Sequence, residues 1–385
     1  MSIDIKKMDL TDSDKENLLK IEKSLENLKN KNNKFLFIMP DVKSPNASMY
    51  EIYFHATVVK KMGYHVLILT DNNEYEIPSW VDKELTEFEH ISMSDNKLSV
   101  SPEDIMIIPE IYSNVMEQTK DLPCMRIGLL QSIDYMINAL IPGMDWSNFG
   151  IKDIITTSKR VVGLLNNFYY NKFNIKLYKP GIPEYFKRSD NPQKPVISIV
   201  GRNPNEISKI VKLFYAKYPQ YSWVTFDPML TKSKPPQPMR RKDFANRLKE
   251  NFAAVWIDRI STLGTFPLEC MKSGVIPIGI KPDITPEYLY VRDKETNNPI
   301  GYKENSGIWT ENLYDIPSLI GEIIIKYLDD TISDELYEGM KEIADEYSQE
   351  NAEKELIEIY TSYIKDRENI FISALPIEET NVTEK

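Results

Sequence analysis

The chain has 385 residues, 42% hydrophobic and 27% charged, with a formal net charge of −11. These proportions describe a globular protein of two or three domains and exclude a disordered chain, a collagen-like fibre and a small disulfide scaffold. The acidity is local: residues 329–385 hold 17 Asp/Glu and 5 Lys/Arg, a net −12, so the remaining 328 residues sum to +1. An acidic total therefore does not rule out a basic face elsewhere.

No run approaches the roughly 18–20 apolar residues of a spanning helix. The opening MSIDIKKMDLTDSDKEN lacks the apolar core of a secretion signal. Cys124 and Cys270 stand far apart without metal-ligand spacing. A cytosolic protein with reduced thiols and no integral membrane association is expected.

Residues 11–31 read as an amphipathic helix, with Leu18, Ile21, Leu25 and Leu28 on one face. FLFIM (35–39) then has the continuous hydrophobicity of a strand buried on both faces. A polar loop, DVKSPNAS, leads into a helix from about Met49 to Lys61, and HVLILT (65–70) is a second buried strand. Strand, helix and strand in so few residues make a parallel βαβ unit.

IMII (105–108), MRIGLL (125–130) and DIITT (153–157) continue the series, the last followed by the helical VVGLLNNFYYNKF. LYKPGIPEYF (177–186), with two prolines and a glycine, reads as a connector. The rhythm then restarts with VISIVG (196–201), a helix over 205–218, WVTF (223–226) and a helix over 241–250. AAVWI (253–257), the helix PLECMKSG (267–274), VIPIGI (275–280) and a long helical region over 315–365 complete it.

The expected fold class is α/β, two doubly wound Rossmann-like domains facing across a cleft. The expected divisions are an N-terminal helical appendage (1–32), a first domain (33–180) and a second domain (181–345). A C-terminal helix crossing back to the first domain and an aperiodic tail fill 346–385.

Ligands of open parallel sheets bind beyond the carboxyl ends of the strands. That rule selects the loop from Asp41 to Ser48, Glu110, Gln131, Arg202, Asp227 and the segment from Asp258 onward. The richest segment is DRISTLGTFPLECMKSGVIPIG (258–279), where a strand meets a loop and a proline-led helix. Free backbone amides and the positive helix end favour a pyrophosphate there. Gly264 admits a close backbone approach, and the Glu269 carboxylate can accept from two ribose hydroxyls. On its own chemistry the same segment also reads as an ordinary turn with a favourable N-terminal charge.

With IVGR ending the first strand of the second half, this segment resembles the donor site of GT-B glycosyltransferases, especially the retaining family-4 type. That family's loop reads E-G-F-G-L-P-P-L-E-A-M-A-x-G, against S-T-L-G-T-F-P-L-E-C-M-K-S-G here. Glu269 matches the second glutamate; Gly264, Pro267, Leu268, Met271 and Gly274 also match. Ser261 stands in place of the first glutamate, where it can hydrogen-bond a donor sugar but supplies no carboxylate.

The resemblance implies a nucleotide-sugar co-substrate, such as UDP-glucose, with no metal or other cofactor and transfer with retention. The donor site it implies comprises Arg202, Lys209, Ser261, Leu263, Gly264, Thr265 and Glu269. Arg202 would neutralise the leaving diphosphate, with Arg202, Ser261 and Glu110 nearest the chemistry. Asn46, Ser48 and Gln131 fall on the acceptor side.

The cationic stretch TKSKPPQPMRRK (231–242) reads either as a solvated loop or as a contact for donor phosphate, donor base or the phosphates of a modified DNA acceptor. A glycan or small-molecule acceptor remains equally open. Phe168, Tyr169 and Tyr170 are expected to pack in the core, His55 to pack in its helix, and His65 to sit at a helix-to-strand turn. A sugar-nucleotide epimerase or hydrolase and a catalytically silent binding protein are the competing readings. A dehydrogenase is disfavoured because no G-x-G-x-x-G follows either leading strand.

Overall fold

A computed structural model of the chain describes residues 33–41, 47–72, 75–82, 85, 87–95, 98–190, 193–228, 239–260, 264–282, 286–292 and 299–373. The helix expected over 11–31 lies outside the described residues, as does the chain beyond Ser373.

The first sheet contains β1 (Lys34–Met39), β2 (His65–Thr70), β3 (Glu89–Ser92), β4 (Ile105–Pro109), β5 (Met125–Leu130), β6 (Asp153–Thr156) and β7 (Asn174–Leu177). Their order is β3-β2-β1-β4-β5-β6-β7, and every ladder is parallel. Helices α1 (Ala47–Lys61), α2 (Ser113–Gln118), α3 (Ile133–Ala139) and α4 (Lys159–Tyr169) make the crossovers.

β1 shows why the apolar runs are continuous. Phe35, Phe37 and Met39 enter a core shared with α1, whereas Leu36 and Ile38 point into the opposite core beneath α2 and α4. Side chains alternate across a strand, so covering both faces requires an apolar residue at every position. Each such burial stabilises by about 1.5–3 kcal/mol.

The second sheet joins β8 (Lys194–Gly201), β9 (Thr225–Pro228), β10 (Asn251–Ile257), β11 (Ile276–Ile280) and β14 (Ile308–Thr310) in the order β14-β11-β10-β8-β9, again parallel. An antiparallel hairpin, β12 (Tyr290–Arg292) with β13 (Pro299–Tyr302), precedes β14. Around the sheet pack α5 (Pro204–Lys217), α6 (Arg241–Leu248), α7 (Thr265–Lys272), α8 (Ile316–Leu328) and α9 (Asp334–Glu346). Their core draws on residues from Ile182 to Tyr347.

The last helix, α10 (Gln349–Ser373), leaves this half and packs on the first sheet. Ala352, Leu356, Ile359, Tyr360 and Tyr363 enter the core shared with α1, at the three- and four-residue spacing of one helix face. The outgoing and returning chains touch: Ile182 bridges Ser348, and Ile182 N donates to Tyr347 O at 2.8 Å. A Cβ at Gly181 would sit 2.8 Å from Gln349 Cα, so only glycine allows this approach.

Several elements differ from expectation. β9 begins two residues late, leaving Trp223 outside it and 42% exposed. The long C-terminal region is three helices, interrupted at Asp330, whose φ is +52°, and at Tyr347. Phe168 and Tyr170 do not reach the core. The buried stripe of α4 is Val161 and Leu165, so Tyr169 alone follows it, edge-on to Phe173 at 5.8 Å. Phe168 and Tyr170 are 65% and 83% exposed.

Candidate active site

Strand order reverses once in each sheet. β1 lies between β2 and β4, and β8 lies between β9 and β10. The crevice outside the carboxyl ends at such a reversal is where doubly wound sheets bind ligands. In the first sheet it opens between the β1 and β4 loops; in the second, between the β8 and β10 loops. The two crevices face each other, because Tyr135 of α3 contacts Arg202 after β8, and Ser132 Oγ donates to Ile260 O at 3.5 Å.

On the first side, Gln131 Nε2 donates to Ser48 O at 3.2 Å, joining the loop after β5 to the start of α1. Gln131 Oε1 is buried and accepts from no described group. Glu110 is 2% exposed, so it does not line the cleft as a bare strand-end residue would. Its Oε2 accepts from Gln131 N at 3.3 Å, and the Ser132 amide also bonds to it. Burial pushes its carboxyl up to about 7, against the pull of those amides. Glu110 therefore shapes the Gln131–Ser132 loop from beneath. Asn46 lies outside the described residues.

On the second side, Arg202 Nε donates to Asp258 Oδ2 at 2.8 Å and its Nη1 meets the Tyr135 hydroxyl. Asp258 Oδ1 in turn accepts from Ile260 N at 3.2 Å, fixing the start of the loop after β10. The arginine thus stands at the reversal point of one sheet with its charge at the rim of the other. Lys209 is exposed in the second turn of α5, and Asp227 pairs with Arg247 at 2.5 Å.

α7 starts at Thr265, two residues before Pro267, which takes its third position. The proline still costs no helical hydrogen bond, because the first amides of a helix have no partner within it. Glu269 consequently falls in the second turn, not the first. Gly264 caps this helix with φ +58°. A Cβ there would lie 2.5 Å from Pro286 Cγ and 2.8 Å from the Tyr288 hydroxyl, which donates to Gly264 O. The protein's own packing demands this glycine, in addition to any ligand. Ser261 and Leu263 lie outside the described residues.

Glu269 carries the site's least anticipated feature. Its Oε1 accepts from Arg241 Nη2 at 2.5 Å, with side-chain exposures of 8% and 11%. Burial opposes the Arg241 charge, and the adjacent carboxylate outweighs that cost, raising the guanidinium above its usual value. The guanidinium also lies over the Tyr50 ring of α1, 3.8 Å from its centroid. Of the cationic stretch, Arg241 has turned inward, Arg240 and Lys242 are exposed, and Lys232 and Lys234 are not among the described residues. A pairing across 28 residues leaves no local signal in the sequence.

The histidines do not enter the site. His55 is buried against the Tyr360 hydroxyl at 2.7 Å, and burial pushes it down to about 3, leaving it neutral. His65 begins β2 as expected. His90 contacts the Tyr53 hydroxyl at 3.1 Å. Among the described residues, no helix is long and apolar enough to cross a membrane.

No protein-family model and no curated protein matches the sequence. Solved structures match the fold. Sucrose-phosphate synthase from Thermosynechococcus elongatus superposes with a TM-score of 0.57 at 10% identity, covering 87% of this chain and 100% of the other. An alpha-glucosyltransferase in complex with UDP and a 13-mer DNA containing an HMU base gives 0.58 at 12% identity, covering 85% and 99%. The pneumococcal O-GlcNAc transferase GtfA in complex with UDP and GlcNAc gives 0.53 at 10% identity, covering 87% and 99%. The chain has the two-sheet GT-B fold of these proteins.

Proposed function

We propose that the protein is a glycosyltransferase that moves a sugar from a nucleoside diphosphate donor, a UDP-sugar such as UDP-glucose, to a hydroxyl acceptor with retention. The observation that carries this reading is the apposition of two strand-order reversals. Arg202 of the second meets Tyr135 of the first, and Arg241, the partner of Glu269, stacks on Tyr50 of the first. Two of the proteins with this fold were solved with UDP bound, which favours the same nucleotide here.

Each role follows from chemistry at a stated place. Glu269 offers carboxylate oxygens to ribose hydroxyls. The Gly264 and Thr265 amides, at the positive end of α7, receive the diphosphate. Arg202 meets the charge that develops on that diphosphate as the glycosidic bond breaks, so it favours the transition state over the bound donor. Gln131 Oε1, buried without a donor among the described residues, suits a hydroxyl of the acceptor.

The acceptor class is either a glycan or small molecule, or a hydroxylated base in DNA. A thermal-shift screen of nucleotide sugars tests the donor: at 100 times its Kd a ligand stabilises by about 2.7 kcal/mol. Incubation with the best donor and either hydroxymethylated DNA or short glycans then identifies the acceptor. A DNA acceptor carries a steep loss of affinity with salt, and a neutral glycan does not. Absence of any shift across the donor panel would sink the reading.

A further inference from the structure

Arg241 is a buried cation between the two halves that no motif assigns. One arm of its guanidinium is spent: Nη2 donates to Glu269 Oε1 at 2.5 Å. Its flat face is spent too, lying 3.8 Å from the centroid of Tyr50 and 5.7 Å from that of Phe186. The other arm is not. Nη1 is buried and has no hydrogen-bond partner among the described residues. A buried, charged N–H without an acceptor is costly, and it sits beside the Glu269 carboxylate.

Tyr50 belongs to α1 in the first half of the molecule, and it is itself held. Its hydroxyl lies 3.3 Å from that of Tyr185, which donates to Asp82 Oδ2 at 3.1 Å. The cation is therefore stacked on a ring held in the other half, at a place where the two halves touch. A planar guanidinium suits this arrangement in a way that an ammonium does not, since it can stack and fork at once.

We propose that Arg241 is a donor-positioning residue. It fixes Glu269 with one arm, offers Nη1 to an oxygen of the incoming nucleoside diphosphate, and by stacking on Tyr50 makes that contact depend on the apposition of the two halves. The inference rests on reading Glu269 as the nucleoside carboxylate. Glu269 keeps acceptor capacity for the ribose, because a carboxylate has about four acceptor sites and Arg241 uses one.

The test is calorimetric titration of UDP into the full chain, comparing wild type with Arg241→Lys, Arg241→Met, Tyr50→Phe and Tyr50→Leu. Arg241→Met should weaken UDP roughly tenfold or more, the loss of one charge-assisted hydrogen bond. Arg241→Lys keeps charge without the fork, and should raise donor KM several-fold with kcat nearly unchanged. Tyr50→Phe keeps the ring but loses its tie to Tyr185 and should weaken UDP slightly, whereas Tyr50→Leu removes the ring and should weaken it more. In the double variant Arg241→Met/Tyr50→Leu, affinity should be no worse than with Arg241→Met alone.

Wild-type affinity in both Arg241 variants, or tighter binding once the guanidinium is gone, overturns the inference and leaves the glycosyltransferase reading standing. Wild type that takes up no nucleoside diphosphate overturns both. Should Arg241→Met fail to fold, the lysine and the two Tyr50 variants still decide the matter.

Discussion

Tyr178 donates its phenolic proton to Glu51 Oε2 at 3.0 Å, tying the residue after β7 to the second turn of α1. Glu51 is 1% exposed, and burial pushes its carboxyl from 4.5 to about 7, while Arg241 pulls in the opposite direction. A carboxyl whose folded value is raised binds its proton more tightly in the folded state. Its contribution to stability is complete below about pH 4.5 and is lost as pH rises through about 7. The ceiling is about 3 kcal/mol, from 1.36 kcal/mol per unit. Glu51→Gln keeps the acceptor for Tyr178 and removes the titration. Its melting temperature should match wild type near pH 4.5 and exceed it at pH 8. Parallel melting curves across that range would exclude Glu51 as the titrating group.

Arg202 should separate turnover from binding. Arg202→Ala is expected to lower kcat by roughly 10²–10³ while changing the affinity for the intact nucleotide sugar only a few-fold, because the guanidinium answers charge that grows in the transition state. Steady-state kinetics together with titration of the intact nucleotide sugar in the absence of acceptor give both numbers. A Kd effect as large as the kcat effect would make Arg202 an ordinary ground-state contact.

Glu269→Gln should act in the reverse sense. The amide keeps the side chain's size beside Arg241 but offers one acceptor oxygen in place of two. Donor KM should rise about tenfold or more with kcat nearly unchanged. An unaltered KM removes the carboxylate from the nucleoside contact. Glu269→Ala is the poorer experiment, since it strands the buried Arg241 charge and threatens the fold.

Gly264→Ala tests whether the cap of α7 is built for the protein as well as for a ligand. The left-handed backbone alone costs a side chain about 1–2 kcal/mol, and the new methyl meets Pro286 at 2.5 Å. A melting temperature lowered by several degrees without any nucleotide present is expected. A variant as stable as wild type would mean that Pro286 and Tyr288 move aside freely.

The sequence was most legible where burial is complete. FLFIM and HVLILT are apolar at every position because helices cover both faces, and both form the strands expected of them. EHIS, NIKL and IWT went unread because they are short, lie at sheet edges and are half exposed, so no apolar run marks them. The strand ends that carry Glu110, Gln131 and Arg202 follow from the same rhythm. What each side chain does there does not: the burial of Glu110 and the Arg241–Glu269 pair depend on segments far apart in the chain. The Gly264 turn was legible as a glycine position, but the Pro286 and Tyr288 packing that demands it lies more than twenty residues away.

The chain leaves for the second sheet at Ile182 and comes back at Ser348, and the two passages lie side by side. A polypeptide threaded twice through one spot gives the halves a single fulcrum, so opening and shutting reduce to a swing about that spot with little freedom to slide. It also makes α10 a strap: a protease that severs the 178–186 segment leaves both pieces still buckled together, and they should migrate as one particle until denaturant releases them.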